Sequence, residues 1–295
     1  MLKTHVSSGA DVTIAAKPVH RHEATGLGIM RIDTDGRVVG FVEKPTSNEQ
    51  LNTVAMDPAW IDAQGIKSHG RECLASMGIY LFSADVLFEA LSQSYGSDFG
   101  REILPEAISQ RRVQTHLFDG YWEDIGTIRS FYESNLSLNR PDAPFQLASA
   151  SAPLYSRPRF LPPTRVDRAN VEGSLIADGC VIHPGAHIEN SVIGLRCQIG
   201  PNVTIRNSII MGADYFATLE EYLKSGDQGL PPLGIGKGAI IEGAIVDKNV
   251  RIGAGAKLVA PTKVQQADLE CECCVRDGVL VVPKEAVIPA NWSAD

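Results

Sequence analysis

The 295-residue sequence predicts an α/β domain followed by a left-handed parallel β-helix. Three observations carry that expectation. Residues 1–138 alternate apolar runs with helical stretches, and residues 139–163 hold six prolines and read as a linker. From residue 164 a six-residue apolar step sets in and continues toward the C-terminus, giving a second domain over 164–295.

In the first half, the apolar run Ala10–Ala16 predicts a buried strand. Met30–Asp33, Asp35-Gly36 and Val38–Val42 predict a β-hairpin, because Asp-Gly turns twist the way paired strands do. Ser76–Phe82 predicts another buried strand. A helix should follow from Ser83, whose hydroxyl can accept from the unpaired N–H groups of a first turn. A further helix is expected over Thr127–Leu138. Prolines 141, 144, 153, 158, 162 and 163 then exclude a continuous helix or central strand.

In the second half, Ile176, Ile182 and Ile188 are six residues apart, as are Ile193, Ile199 and Ile205. Ile240, Val246, Ile252 and Leu258 resume the step. Asp178-Gly179, Pro184-Gly185, Gly200-Pro201 and Gly253-Ala254-Gly255 fall between them, where a coil must turn. This is the hexapeptide grammar of a solenoid whose coils carry three short strands. Residues 212–234 break the step and contain Leu219–Lys224, so a partly helical excursion is expected there.

Composition narrows the function. Apolar residues make up 44% and charged residues 21%, ordinary for a globular core, and the net charge of −8 argues against nucleic acid as the main partner. No basic-then-apolar leader and no apolar run of membrane-spanning length occur, so a reduced cytoplasm is the expectation and no membrane is called for. Cys271, Cys273 and Cys274 cluster, but without a second pair or a nearby His their spacing fits no common zinc arrangement. His183 and His187 read as exposed coil residues rather than catalytic bases.

Five short motifs in the first half have the character of a site. Gly28 lets backbone approach a ligand. Glu43-Lys44-Pro45 ends a strand with an acid and a cation at a loop mouth, where they can meet a hydroxyl and a phosphate. The two-residue period sets Ser76, Gly78 and Tyr80 on one strand face. Asp98-Phe99-Gly100 and Tyr121–Thr127 add acids and rings, with Trp122 and Asp124 on one face if that segment is extended. The set suits a sugar phosphate: acids for hydroxyls, rings for the apolar sugar face, Lys44 for phosphate and Asp124 for Mg²⁺.

In this order, and followed by a β-helix, these motifs resemble ADP-glucose pyrophosphorylase (glucose-1-phosphate adenylyltransferase). Arg159–Pro163, Ser208–Tyr215 and Ile245–Ile252 resemble the same family, especially its cyanobacterial and plant branch. The resemblance implies a partial Rossmann-like nucleotidyltransferase domain before the β-helix. It implies a glucose-1-phosphate pocket of Gly28, Glu43, Lys44, Ser76, Tyr80, Asp98, Phe99, Trp122 and Asp124. Lys44 and Asp124 would carry catalysis, and Asp124 would be one of two aspartates holding Mg²⁺. Lys284 matches an activator-contacting lysine of the family's allosteric site for anionic sugar metabolites, and Lys248 is another candidate cation there. A homo- or hetero-oligomer is expected.

In that family the glycine-rich Gly-Thr-Arg loop that binds ATP, the adenine-binding residues and the second aspartate precede the position matching Met1. The expectation is therefore a truncated chain, inactive alone and holding Mg²⁺ weakly. Two alternatives stand beside it: a non-catalytic regulatory or assembly subunit, and a hexapeptide-repeat acyltransferase, against which the sugar-pocket motifs argue.

Overall fold

In the computed structural model the described residues are 1–93, 102–150, 153–261 and 263–294. The chain divides into two compact units, Met1–Trp122 and Glu123–Asp295.

The first unit is built on a mixed sheet. Its strands are β1 (Val12–Val19), β2 (Gly28–Ile32), β3 (Val38–Glu43), β4 (Cys73–Phe82) and β5 (Val113–Leu117), in the order β3-β2-β4-β1-β5 among the described residues. β1 runs parallel to β5 and antiparallel to β4, and β2 pairs antiparallel with both β3 and β4. Helices α1 (Leu2–Ser8), α2 (Asn48–Val54), α3 (Pro58–Ala63), α4 (Ala84–Gln93) and α5 (Leu104–Gln110) accompany it.

The central strands read as continuous apolar runs because both sheet faces are covered. Ile14, Met30 and Leu74 enter one core with Ile61 of α3 and Leu104 of α5. Their neighbours Ile29, Cys73 and Ala75 enter a second with Leu51 and Val54 of α2. The expected hairpin is β2–β3, and Gly36 takes φ 77° at its turn, a conformation other residues adopt only at a cost.

The second unit is a parallel β-helix with three sheets. Neighbouring strands in each sheet are successive coils, and their paired residues lie 17 apart: Val181 with Gln198, His187 with Thr204, Val192 with Ile209. The inward ladder therefore steps by six, six and five. Ile182, Ile188, Ile199, Ile205 and Ile252 are wholly buried, Ile193 and Val246 nearly so, and Ile176 packs against the same core.

One member of the expected ladder is displaced. Ile240 is only half-buried, and Ile241 occupies the core position. The five-residue step from Ile241 to Val246 is the cause, since one corner of each coil is a residue shorter than a strict hexapeptide repeat allows.

At two places the pairing distance widens to 36, as between Ile199 and Ile235 and between Arg251 and Val287. Each adds 19 residues to a coil. The first is the expected excursion, carrying α7 (Leu219–Asp227) in our numbering after α6 (Ile128–Ser137). The second went unread in the sequence: it forms a hairpin of Gln266–Asp268 with Cys274–Arg276, antiparallel to Val279–Val282. The cysteine cluster lies at its turn, where Cys271 and Glu272 take positive φ.

Helix α6 belongs by contact to the second unit, although it precedes the proline-rich stretch. Thr127 caps it, accepting from Ser130 N–H while the Ser130 hydroxyl accepts from Thr127 N–H. Its Phe131, Tyr132 and Leu136 pack on Ile209, Ile245 and Val279 of one β-helix sheet. Arg129 donates twice to the Asp277 carbonyl, and the Tyr132 hydroxyl donates to that of Asn207. Residues 139–150 and 153–163 carry no helix or strand.

The shifted register makes a direct prediction. Ile241→Ala should cost about 2–5 kcal/mol, as truncation in a packed core does. Ile240→Ala should cost less than about 1 kcal/mol, within the range of partly exposed sites. Urea unfolding of both variants checks the order, and equal losses would refute the 17-residue coil.

Candidate functional site

Sheet register, rather than proximity in sequence, gathers the candidate residues of the first unit. Glu43, at the end of β3, pairs with Gly28, at the start of β2. Ile29 pairs with Ala75, so the next step along the same register sets Gly28 beside Ser76. Ser76 pairs with Ala16 of β1, and Ala16 with Leu117 of β5. A single row thus crosses the sheet, and the chain leaves it through Phe118–Trp122.

The row is tight at Gly28. A Cβ there would lie 2.4 Å from the Phe41 ring and 2.7 Å from Glu43 Oε2. Glycine is needed for the Glu43 carboxylate to lie flat over β2. Lys44 follows with φ 48°, left-handed for a side chain with a Cβ and directly before a proline, where extended backbone is favoured. Such strain costs on the order of 1–3 kcal/mol and tends to mark functional sites. The Lys44 N–H bonds to the Leu27 carbonyl at 3.0 Å and fixes the turn. Its side chain is exposed and that of Glu43 half-buried; neither has a hydrogen bond or ion pair among the described residues.

The expectation of plain alternation from Ser76 to Tyr80 needs correcting. Ile14 pairs with Tyr80 and Ala16 with Ser76, so β4 carries two extra residues against β1. Gly78, at φ 70°, makes the bulge. Ser76 Oγ accepts from Gly78 N–H at 3.3 Å and lies 3.5 Å from the Tyr80 hydroxyl. Ser76 and Tyr80 still meet, through the bulge instead of the strand period.

Two residues near this row had no signal in the sequence beyond a lone charge in or beside a strand. Lys17, the one charged residue of β1, donates to the Trp122 carbonyl at 3.4 Å. Arg71 holds Asp119 through two contacts of 2.5 and 3.2 Å, and also donates to the carbonyls of Ser68, Lys67 and Pro18. This clamp ties the segment leading to Trp122 back to β1. The Arg71 guanidinium holds the Asp119 carboxyl below its ordinary range.

Asp98 and Phe99 lie outside the described residues. Asp124 belongs to the second unit; it is exposed, and its Oδ1 accepts from Gly126 N–H at 3.1 Å. Residues 121–126 carry no strand, so a shared strand face for Trp122 and Asp124 does not apply.

Within the β-helix, the two candidate lysines converge on one carboxylate. Lys248 Nζ lies 2.8 Å from Asp214 Oδ1 and Lys284 Nζ 3.3 Å from Oδ2. Asn249 donates to the same Oδ2 and accepts from Asp214 N–H, securing the excursion to its neighbouring coil. Hydrogen bonds from Lys248 and then Lys284 hold the Asp214 carboxyl down to about 2. His187 sits in an outer ladder, 3.5 Å from Glu189 and 3.2 Å from Asn170.

Comparison with known families divides the chain similarly. Residues 1–140 match the nucleotidyl transferase family, and residues 159–292 match the GLGC left-handed parallel β-helix domain. The protein therefore carries a nucleotidyltransferase domain followed by a left-handed parallel β-helix. Together the two domains fit the ADP-glucose pyrophosphorylase family. No helix among the described residues is long and apolar enough to cross a membrane.

The Asp214 cluster has a pH signature. A carboxyl whose pKa is lowered in the folded state contributes stability at pH above its unfolded value. That contribution is lost as pH falls toward about 2. Lys248→Ala should raise the Asp214 pKa toward the ordinary aspartate range, and Lys284→Ala should do so less. A carbon-detected NMR titration of the Asp214 carboxyl reads both, and an unchanged midpoint in Lys248→Ala would contradict the assignment.

Proposed function

We propose that this protein is a sugar-phosphate nucleotidyltransferase of the glucose-1-phosphate adenylyltransferase kind, joining ATP and α-glucose-1-phosphate into ADP-glucose and pyrophosphate for glycogen or starch synthesis. The observation that carries this reading is the row Glu43–Gly28–Ser76 beside the strained Lys44. A carboxylate and a hydroxyl stand in one row, with a lysine at its end that has no side-chain partner among the described residues, and that combination is complementary to a sugar and its phosphate.

In this reading Glu43 and Ser76 bind glucose hydroxyls, and the rings of Tyr80 and Trp122 take the apolar sugar face. Lys44 holds the phosphate and neutralises charge that develops as its oxygen attacks the α-phosphorus of ATP. Asp98 and Phe99 would complete the pocket. Arg71 and Lys17 position the Trp122 segment rather than touch the sugar.

Mg²⁺ fits the donor chemistry of Asp124. The carboxylate is exposed, and among the described residues only its Oδ1 is engaged, by a backbone N–H. Mg²⁺ is commonly held by one or two carboxylates together with substrate phosphates and water. Bound there, it would neutralise phosphate charge. An anionic sugar-metabolite effector at Lys248 and Lys284 would share both cations with Asp214, so its binding would compete with an existing ion pair.

A regulatory or assembly subunit would keep the sugar pocket without turnover, and it predicts the same binding. The two are separated by activity. Calorimetry with α-glucose-1-phosphate should show saturable binding that Lys44→Ala weakens at least about tenfold, equivalent to ~1.4 kcal/mol. No binding, or binding indifferent to Lys44 and Glu43, would overturn the sugar-phosphate reading. Mg²⁺-dependent pyrophosphate release with ATP then distinguishes an enzyme from a binding subunit.

A further inference from the structure

The first excursion of the β-helix does more than interrupt the coils. Between Ile209–Ile210 and Gly234–Ile235 it folds back over the outer face of the sheet containing Val181–Ile182 and Gln198–Ile199. A cleft of about 450 Å³ remains between them. That is within the roughly 300–1,000 Å³ typical of sites for small metabolites. It lies in the second unit, and the described residues lining it include none of those assigned above to sugar phosphate and none of Asp214, Lys248 and Lys284.

Its lining is chemically biased. His183, Arg196 and Lys237 come from three successive coils, and Gln198 lies in the same coil as Arg196. Tyr215, Phe216 and Tyr222 face them from the excursion, and each keeps 42–57% of its surface exposed. Among the described residues lining the cleft there is no carboxylate, although the whole chain carries a net charge of −8. A cleft meant only to close the fold over the sheet would bury these rings against it. Here they stand open around cations.

Arg196 is held in place. Its Nη1 donates to the Ala213 carbonyl at 3.1 Å, and its guanidinium lies 5.7 Å from the centroid of the Phe216 ring. One face of the planar cation is thus supported by an aromatic, a geometry that leaves its remaining donors for a ligand. The side chains of Lys237, Gln198 and His183 have no hydrogen-bond or ion-pair partner among the described residues.

We propose that this cleft is a binding site for a small nucleoside phosphate. Lys237 and Arg196 take the phosphate, the three rings take the flat base, and Gln198 and His183 supply donors and acceptors for its edge. The assignment follows from the pairing of cations with open aromatic faces, since stacking a base on such a ring is worth about 1–3 kcal/mol. A phosphate needs the charge-assisted donors and a base needs the rings; nucleoside phosphates are small metabolites that use both.

The test uses the full chain and 5′-AMP and 5′-UMP as probes, with adenosine and inorganic phosphate as the two halves of the ligand. Calorimetry should find saturable nucleotide binding at least about tenfold tighter than either half. Lys237→Gln and Tyr222→Ala change exposed side chains, so both should fold, as thermal melts monitored by circular dichroism will report. Each should weaken nucleotide binding about fivefold or more, a loss of about 1 kcal/mol. Lys44→Ala should leave this binding unchanged, which separates the cleft from the sugar-phosphate site. In NMR spectra, AMP should shift the Gln198 side-chain amide. Binding equal to that of phosphate alone, binding unaffected by Lys237→Gln and Tyr222→Ala, or binding abolished by Lys44→Ala would each overturn the proposal.

Discussion

A β-helix coil must bring every apolar side chain back above its predecessor, and here the return distance is 17 residues. Parallel strands cannot slip by one without turning the whole inward set to the outside, so the register is enforced by burial at every level. That constraint decides which insertions the fold tolerates. Each of the two interruptions adds 19 residues at a corner and hands the chain back in register, with Ile235 stacked on Ile199 and Ile288 on Ile252. The excursion and the late hairpin are thus free to carry chemistry on the outer surface while the stacked isoleucines remain undisturbed.

The same logic, with a different period, shapes the first unit. Its central strands are buried on both faces, so their sequence does not alternate, and position in the sheet is set by pairing. Pairing places Glu43, Gly28 and Ser76 in one row though they are far apart along the chain. Gly28 lets the Glu43 carboxylate approach, and the bulge at Gly78 turns Tyr80 back toward Ser76. Lys44 is held left-handed before Pro45. Cost accumulates locally in this row, and the double-sided core around it is what keeps the strained geometry from relaxing.

Charge is handled differently in the two units. In the first, Arg71 is spent on carbonyls and on Asp119, tying the Trp122 segment to β1, while Glu43 and Lys44 remain without partners among the described residues. In the second, Asp214 is engaged by two lysines and an asparagine from later coils. An ion pair this exposed contributes little to stability taken alone. Its consequence is geometric: it pins the start of the excursion and so shapes the cleft whose walls the excursion forms.

Periodicity and local capping were determined by the sequence itself. The six-residue apolar step identified the solenoid, Asp35-Gly36 the hairpin, and Thr127 the start of α6, because each depends on residues close in the chain. The motifs around Gly28, Glu43-Lys44 and Ser76–Tyr80 were legible as chemistry. The five-residue step that moves Ile241 inward in place of Ile240 was not, nor was the hairpin at 266–276. Both are fixed by which strand lies beside which, and pairing partners 17 or 36 residues distant leave no local mark. The structure likewise decided that Lys248 and Lys284 share Asp214, that Lys17 reaches Trp122, and that rings from the excursion face Arg196. A side chain's type limits what it can bind, but only the packed chain determines what stands opposite it.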